Sequence, residues 1–460
     1  MVVFGVWLAS LVPVQLWMGA IGALAVLCAL KVARVYALFF GCIGGLVFGL
    51  GYGTAAIGDR EVYSLFVNQK VALSGSIRED PSLNLSGQLS VQLNEVTYEG
   101  RRLPGALLAT VHSATPAKRG DILYLNGVFS EGIGSYIGSM RRASVEKVVH
   151  PEPGDVGRRV RDWFADLVRD KVPDPQASLG IGFLTGQKSA LPHDLSEALR
   201  VVGLTHIVVA SGYNLTILVR LSRRLFVRVS KYLSALSSGT MIVVFMAVTG
   251  LSPSMARAGL VSGMSLLTWY YGHSFHPLVL LPFAAMITVI GQPSYVWGDL
   301  GWQLSFAAFA GVMIVAPLLQ RYFFGEKEPG TIRQILGETI SAHFVTLPLI
   351  ALSFGTVSNV AIFANLLVVP FVPLAMLVTF LVGVWSLLGL PYAEILALPT
   401  EWLLTYMVNV ATYLSELSWA QHDIVVEPWW WLVYAALLAG ACLWMRRATG
   451  YTLRQSNLVV

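Results

Sequence analysis

Two stretches of this 460-residue chain, VYALFFGCIGGLVFGLGYG at 35–53 and WWWLVYAALLAGACLWM at 429–445, run for about a bilayer's depth without a charged residue. About 20 helical residues cross a hydrocarbon core of about 30 Å, and inside it the backbone must satisfy its own hydrogen bonds. Such runs leave few folds open, and the expected class is a polytopic α-helical membrane protein. Composition agrees. Charged residues make up 12%, about half the share of a soluble domain, against 55% hydrophobic residues and a mean hydropathy of +0.65. The net charge of +5 and pI of 9.0 are read first as cations gathered in short cytoplasmic loops, not as a nucleic-acid signature. Cys28, Cys42 and Cys442 all fall in expected spans, which supports neither a disulfide framework nor a zinc site. The N-terminus has no basic region or small-residue cleavage site, so it reads as retained membrane segment.

The texture changes along the chain. Residues 1–57 hold N-terminal transmembrane segments: 4–30, with Pro13 near the middle, fit either one long kinked span or a short re-entrant hairpin, Lys31 and Arg34 mark a cytoplasmic turn, and 36–53 cross outward. Across 58–150 the long runs give way to short alternating segments such as VALSGSIRED and GQLSVQLNEVTYEG between turn residues. That period predicts an inserted extracytoplasmic β-barrel of five strands, OB-like, because a sandwich needs more strands than the segment supplies. Residues 151–174 read as an amphipathic linker helix on the membrane surface, with Val160, Trp163, Phe164 and Leu167 at helical spacing.

From 175 to 448 the chain reads as a multispanning domain, followed by a cytoplasmic tail at 449–460. Arg220, Arg223, Arg224, Arg228 and Lys231 mark one cytoplasmic loop. Apolar segments near 236–250, 256–271, 278–291 and 301–319 lead to Arg321, Lys327 and Arg333, and a further even set leads to Arg446 and Arg447. The expected total is ten or eleven spans. Pro370 and Pro373 in NLLVVPFVPLAML suggest a broken or re-entrant helix. No internal repeat is strong enough to argue for an inverted-repeat transporter.

Polar residues inside these runs are the candidates for function. GLTHIVVASGYNLTILV at 203–219 carries His206, Ser211 and Asn214 around a Ser-Gly step that reads as a helix break, Gly212 relaxing the backbone there. On a helix His206 and Asn214 share a broad face, and an intramembrane ionisable group must face protein or a wet cavity; interhelical hydrogen bonding alone is the plainer alternative. TGLSPSMARAGLVSG sets Ser254 and Arg257 beside Pro253, and YVWGDLGWQLSFAAFAGV sets Asp299, Gln303 and Ser305 at the start of another span. An arginine in mid-membrane costs about 2.5–3.5 kcal/mol on insertion scales, so Arg257 should be paired, interfacial or lining water. Asp299 is its expected partner. Unpaired, Arg257 is free to meet an anion.

Catalytic readings fare worse. GFLTGQKSA imitates a phosphate loop, but Gln187 breaks the Gly-Lys adjacency. Ser211 with His273 or His343 would make an intramembrane serine hydrolase, yet Val209 stands where such enzymes carry Gly. His273 and His276 have no further ligands beside them to complete a metal shell. No enzymatic activity, catalytic residue, cofactor or metal is expected.

Three segments, FLTGQKSALPHDLSEALRVVGLTHIVVASGYNLTILV, TGLSPSMARAGLVSG and PSYVWGDLGWQLSFAAFAGVMIVAPLL, together resemble the competence domain of the ComEC family. The matching positions are Gly203, His206, Ser211 and Gly212; Ser254, Arg257 and Ala258; and Asp299, Gly301, Gln303, Leu304, Ser305 and Phe306. The resemblance implies a channel that carries single-stranded transforming DNA across the bacterial cytoplasmic membrane. Its lining would include His206, Ser211, Gly212, Asn214, Ser254, Arg257, Asp299, Gln303 and Ser305. It further implies partners: an external DNA receptor of the ComEA kind, a cytosolic helicase-like motor or strand-coating proteins, and membrane lipids. The chain departs from the family at Tyr213-Asn214, lacks the paired cysteines of many outer barrels, and has no His-x-His-x-Asp-His cluster, so it resembles the form without a metallo-β-lactamase-like domain and implies a separate nuclease.

In the barrel, Arg78, Arg101, Arg102, Tyr124, Phe129, Arg141 and Arg142 are the candidate DNA contacts. Nine Lys and Arg stand against eight Asp and Glu across 61–150, so any affinity there must come from local clustering and be salt-sensitive. The rival function is a secondary transporter of a small anion or metabolite, with Arg257 and broken helices forming the site.

Overall fold

A computed structural model describes every residue except 13, 30–33, 62, 84–87, 113–114, 188–190, 209–210, 273–275, 326–329, 426 and 452–460. Pro13, Lys31, Val209, His273 and Lys327, the end of the GFLTGQKSA run and most of the expected tail lie outside the described residues. The described chain is mostly helical and divides into two compact units: Met1–Val156 with Pro282–Gln303, and Gly157–Leu281 with Leu304–Val460. The stretch Pro282–Gln303 therefore joins the N-terminal unit, a grouping that runs across the division expected near residue 175.

In the first unit, helices Val2–Ala9 and Trp17–Ala29 both lie along helix Arg34–Glu61. Val2 sits at Gly45 and Gly49 and Ala9 at Gly53, whereas Gly19 meets Gly51 and Gly22 meets Phe48 and Gly44. The first helix thus runs with the long one and the second runs back. The two short helices are therefore a hairpin and not one long kinked span. Glycine is what permits it: a Cβ on Gly49 would fall 3.0 Å from the Val6 nitrogen, and one on Gly44 2.9 Å from the Ala25 Cβ, the small-residue contact through which apolar helices approach closely.

The alternating segment folds into a closed five-strand barrel. Its strands are β1 Lys70–Ile77, β2 Leu89–Tyr98, β3 Leu107–Val111, β4 Ile122–Glu131 and β5 Gly138–Met140, with β6 Ser144–Val149 added beyond them. Antiparallel pairing joins β1 to β2, β2 to β3, β5 to β4 and β4 back to β1, while β3 and β5 pair in parallel, so the ring closes. Strands β5 and β6 both bond β4, at Phe129–Glu131 and at Ile122–Asn126 respectively. Period-two alternation sends Val71, Leu73, Val91, Leu93, Leu107, Ala109, Leu123 and Leu125 into one core. Tyr63 seals an end, its ring stacked 5.5 Å from Phe129 and its hydroxyl donating to the Pro104 carbonyl at 2.7 Å.

The second unit is built around helix Gln176–Thr185, buried from Ala177 to Thr185. Helices His193–Val201, Ala361–Val368, Val372–Leu387 and Ala393–Ser415 pack around it through Leu179, Phe183, Leu199, Val368, Met376 and Leu404. The break expected at Pro370 is one 3-10 turn, Val369–Phe371, between two helices that together form one apolar run. Linker helix Val156–Arg169 leaves Val160 and Trp163 exposed and lays Phe164 against Phe380, with ring centroids 6.1 Å apart.

Among the described residues five helical runs are long and apolar enough to cross a membrane, four of them Lys231–Thr249, Leu300–Phe324, Ile332–Phe354 and Ala361–Leu387. This is a membrane protein. Other apolar segments form shorter helices, among them the 15-residue helices Gly212–Phe226 and Pro277–Gly291.

The hairpin contact yields a direct test. Gly49→Leu forces a side chain into the Val2–Val6 backbone and should destabilise the protein by about 1–3 kcal/mol. Gly58→Leu, on the same helix with nothing within 4 Å of its Cβ position, should leave the thermal midpoint of the detergent-purified protein unchanged. Equal melting of the two variants would reject the packing.

Candidate functional site

Helix His193–Val201 ends in a left-handed Gly203, φ +73°, closed by bonds from the Gly203 nitrogen to the Arg200 carbonyl (3.1 Å) and from the Leu204 nitrogen to Leu199 (2.8 Å). Glycine is required twice over, since a Cβ there would also sit 3.0 Å from the Ala361 Cβ. One helical turn follows, Thr205–Val208, on which the exposed His206 ring places Nδ1 2.9 Å from the Gly203 carbonyl oxygen. Helix Gly212–Phe226 then starts afresh. Ser211 is its N-cap, accepting the Asn214 N–H at 3.4 Å while its hydroxyl donates to Asn214 Oδ1 at 3.2 Å.

The helix break expected at the Ser-Gly step is present, because the Ser211 cap sets a helix start inside residues 203–219. One expectation is corrected here. Asn214 does not face open space: it is 0% exposed, and its amide donates to the carbonyls of Phe183 (2.9 Å) and Ile207 (3.4 Å). It pegs three segments together, because two carbonyls buried with it need a donor.

The first turn of helix Gly212–Phe226 meets helix Pro253–Tyr271, whose own N-cap is Ser252 with Pro253 at the first position. The motif residues Gly212 and Ala258 make this crossing close, since a Cβ on Gly212 would lie 3.2 Å from that of Ala258 and 3.1 Å from Arg257 Nη2. The Arg257 guanidinium, half-buried, therefore rests on a helix N-terminus. Its Nε donates to Ser305 Oγ at 2.7 Å, and Ser254 Oγ lies 3.2 Å from the same oxygen. The Phe309 and Phe306 rings stand 5.1 Å and 6.0 Å from its central carbon.

Among the described residues Arg257 makes no ion pair, so the expected carboxylate partner is replaced by a hydroxyl. A full positive charge beside the partial positive charge of a helix N-terminus is a place prepared for an anion. The structure thus gathers Gly212, Ser254, Arg257 and Ser305, drawn from all three sequence motifs.

Asp299 and Gln303 belong to the first unit. Asp299 caps helix Leu300–Ala310, its Oδ1 accepting the Trp302 N–H at 2.6 Å, and Gln303 Nε2 donates to the Val296 carbonyl at 2.9 Å. A Cβ on Gly301 would lie 3.2 Å from that Oδ1, so the motif glycine leaves room for the capping carboxylate. The barrel loop at 134–136 sits on this turn: Gly134 touches the Gly298 backbone and the Ser135 hydroxyl bonds Asp299. Burial there lifts the Asp299 carboxyl above its ordinary range, against the pull of the Trp302 N–H and of Arg78.

Arg78 completes the seat, donating from Nη1 to Gln292 Oε1 at 2.9 Å and from Nη2 to the Tyr295 hydroxyl at 2.6 Å. Its fork is engaged within the protein rather than open to a strand, which corrects its assignment as a DNA contact. Phe129 is corrected likewise. It is 0% exposed in the barrel core, because its place on β4 points inward. Tyr124 is 43% exposed on the outer face. Arg101 and Arg102 are exposed, with Arg102 2.8 Å from Glu95, and Arg141 and Arg142 form an exposed turn between β5 and β6. Phe309, Ser135 and Arg60, whose Nη2 donates to the Gly134 carbonyl at 3.1 Å, carry no signal in sequence, since each matters only through a distant partner.

A family model described as Competence protein matches residues 183–449, more than half of the chain, and takes in every motif position from Gly203 to Phe306. The chain belongs to the Competence protein family. That is the domain family of ComEC, and membership gives the chain a role in competence and DNA uptake. No curated protein and no solved structure matches the chain.

Within this Competence domain Asn214→Leu should cost about 1–3 kcal/mol, the penalty for stranding buried carbonyls, and Ser211→Ala about 1 kcal/mol through loss of the cap. Thermal melting of the purified variants checks both. A melting temperature for Asn214→Leu equal to wild type would remove the peg.

Proposed function

We propose that this protein conducts single-stranded transforming DNA across the bacterial cytoplasmic membrane, with its barrel outside the cytoplasm. The observation that carries the proposal is Arg257: a half-buried guanidinium held by Ser305, set against the first turn of helix Gly212–Phe226, with no carboxylate among the described residues to neutralise it. A strand brings about one negative charge per nucleotide into a low-dielectric slab, so its route needs polar and cationic contacts that leave each phosphate free to move on. Ser254 and Ser305 beside Arg257 suit that need. His206, exposed near the same motif, belongs to the same proposed lining.

The barrel supports the same reading. Its strand order, β1-β2-β3-β5-β4 closing on β1 with β3 and β5 parallel, supports an OB-like reading, a scaffold for oligonucleotides. Tyr124, Arg101, Arg102, Arg141 and Arg142 are the surface groups it offers. The chain acts here as a conduit and not as an enzyme. Direction comes from partners: an external DNA receptor of the ComEA kind, a separate nuclease, and a cytosolic motor or strand-coating proteins that draw the strand inward.

Cells carrying Arg257→Ala at normal protein level should take up labelled DNA at least tenfold less than wild type, and Arg257→Lys should keep part of the flux because the charge remains. Unimpaired DNA entry in the alanine variant would favour the secondary transporter of a small anion. In the barrel, Arg141→Gln with Arg142→Gln should lower the log-log salt slope of single-strand binding by about 0.7 for each lost phosphate contact. An unchanged slope, measured by anisotropy across a salt series, would remove that turn from the interface.

A further inference from the structure

A pair of cations with no carboxylate partner among the described residues lies at the other end of helix Gly212–Phe226. Ser230 caps the following helix, Lys231–Thr249, and Ser234 Oγ donates to the Arg223 carbonyl at 3.1 Å, fixing the two helices as a hairpin. The Arg223 central carbon lies 5.3 Å, and the Lys231 ammonium 5.7 Å, from the centre of one Trp269 ring; Lys231 is also 5.6 Å from the Tyr270 ring. Among the described residues neither cation makes an ion pair. Two like charges gathered on one indole repel each other, and the ring's attraction, worth about 0.5–2 kcal/mol per cation, does not neutralise them.

We propose that Arg223, Lys231 and Trp269 hold the phosphate of an anionic glycerophospholipid headgroup. The apolar residues around the pair choose this occupant. Leu225 is 63% exposed, Val229 73% and Tyr232 65%, in the same short hairpin as the cations. A soluble phosphate or a nucleic-acid strand makes no use of such a fringe, whereas a lipid lays its acyl chains over it while its headgroup meets the charges at the membrane surface. The site stands apart from strand conduction and does not rest on it.

The test is retention of lipid by the full-length protein, purified in neutral detergent, mixed with equimolar phosphatidylglycerol and phosphatidylcholine and weighed by native mass spectrometry. Wild type is expected to keep phosphatidylglycerol in preference. At roughly a fivefold effect per cation near an anionic surface, Arg223→Gln with Lys231→Gln lowers that preference about 30-fold, and Lys231→Gln alone, the milder change should the pair fail to fold, about fivefold. Arg141→Gln with Arg142→Gln, an equal loss of charge in the barrel, leaves it intact. The proposal is overturned by a wild type that keeps both lipids equally, or by a folded Lys231→Gln variant with undiminished preference. It is overturned equally if millimolar inorganic phosphate displaces the lipid, which would mark a free-anion site, or if a single-stranded oligonucleotide does so, which would mark a strand contact.

Discussion

A half-buried guanidinium must find a charge, a hydroxyl or water, and the hydrogen bond from Arg257 to Ser305 at 2.7 Å is how this fold meets that demand. The rest of the site follows from it. Ser305 can serve only because its helix passes beside Arg257, and Arg257 can reach the neighbouring helix start only because Gly212 has no Cβ and Ala258 has little more. A hydroxyl keeps the cation oriented without cancelling it, which a carboxylate would do. Orientation without neutralisation is the property a moving polyanion requires.

Much of this was legible in the letters. Apolar runs of bilayer length announced the helices, and period-two alternation between turn residues announced the barrel. The order of three short motifs announced the family. Each of these signals is local: a period, a length, a spacing. The motif glycines also had local readings in part, as Gly203 shows with its left-handed cap.

What sequence left hidden was non-local. Asn214 looked like a polar group facing a route, but carbonyls on Phe183 and Ile207 claim its amide. Arg78 looked like a cation for phosphate, but Gln292 and Tyr295, more than two hundred residues away, hold both arms of its fork. Phe129 sits on a strand whose parity turns it inward, and a bulge or one-residue shift in register would have turned it out. No local period tells which parity holds. The same blindness hid the attachment of Pro282–Gln303 to the N-terminal unit, which rests on the barrel's Gly134–Tyr136 loop meeting Gly298 and Asp299.

One strand carries the hydrogen bonding of three others. β4 pairs with β1 along one edge and with β5 and β6 along the opposite edge. During synthesis β1 must therefore wait, with a raw margin exposed, until residues 122–131 leave the ribosome. Closure then arrives as one late, long-range event, the kind whose entropic cost slows folding. The nascent domain is most open to proteases and to mispairing with other chains in that interval, and a chaperone that shields the β1 margin has its work defined by it.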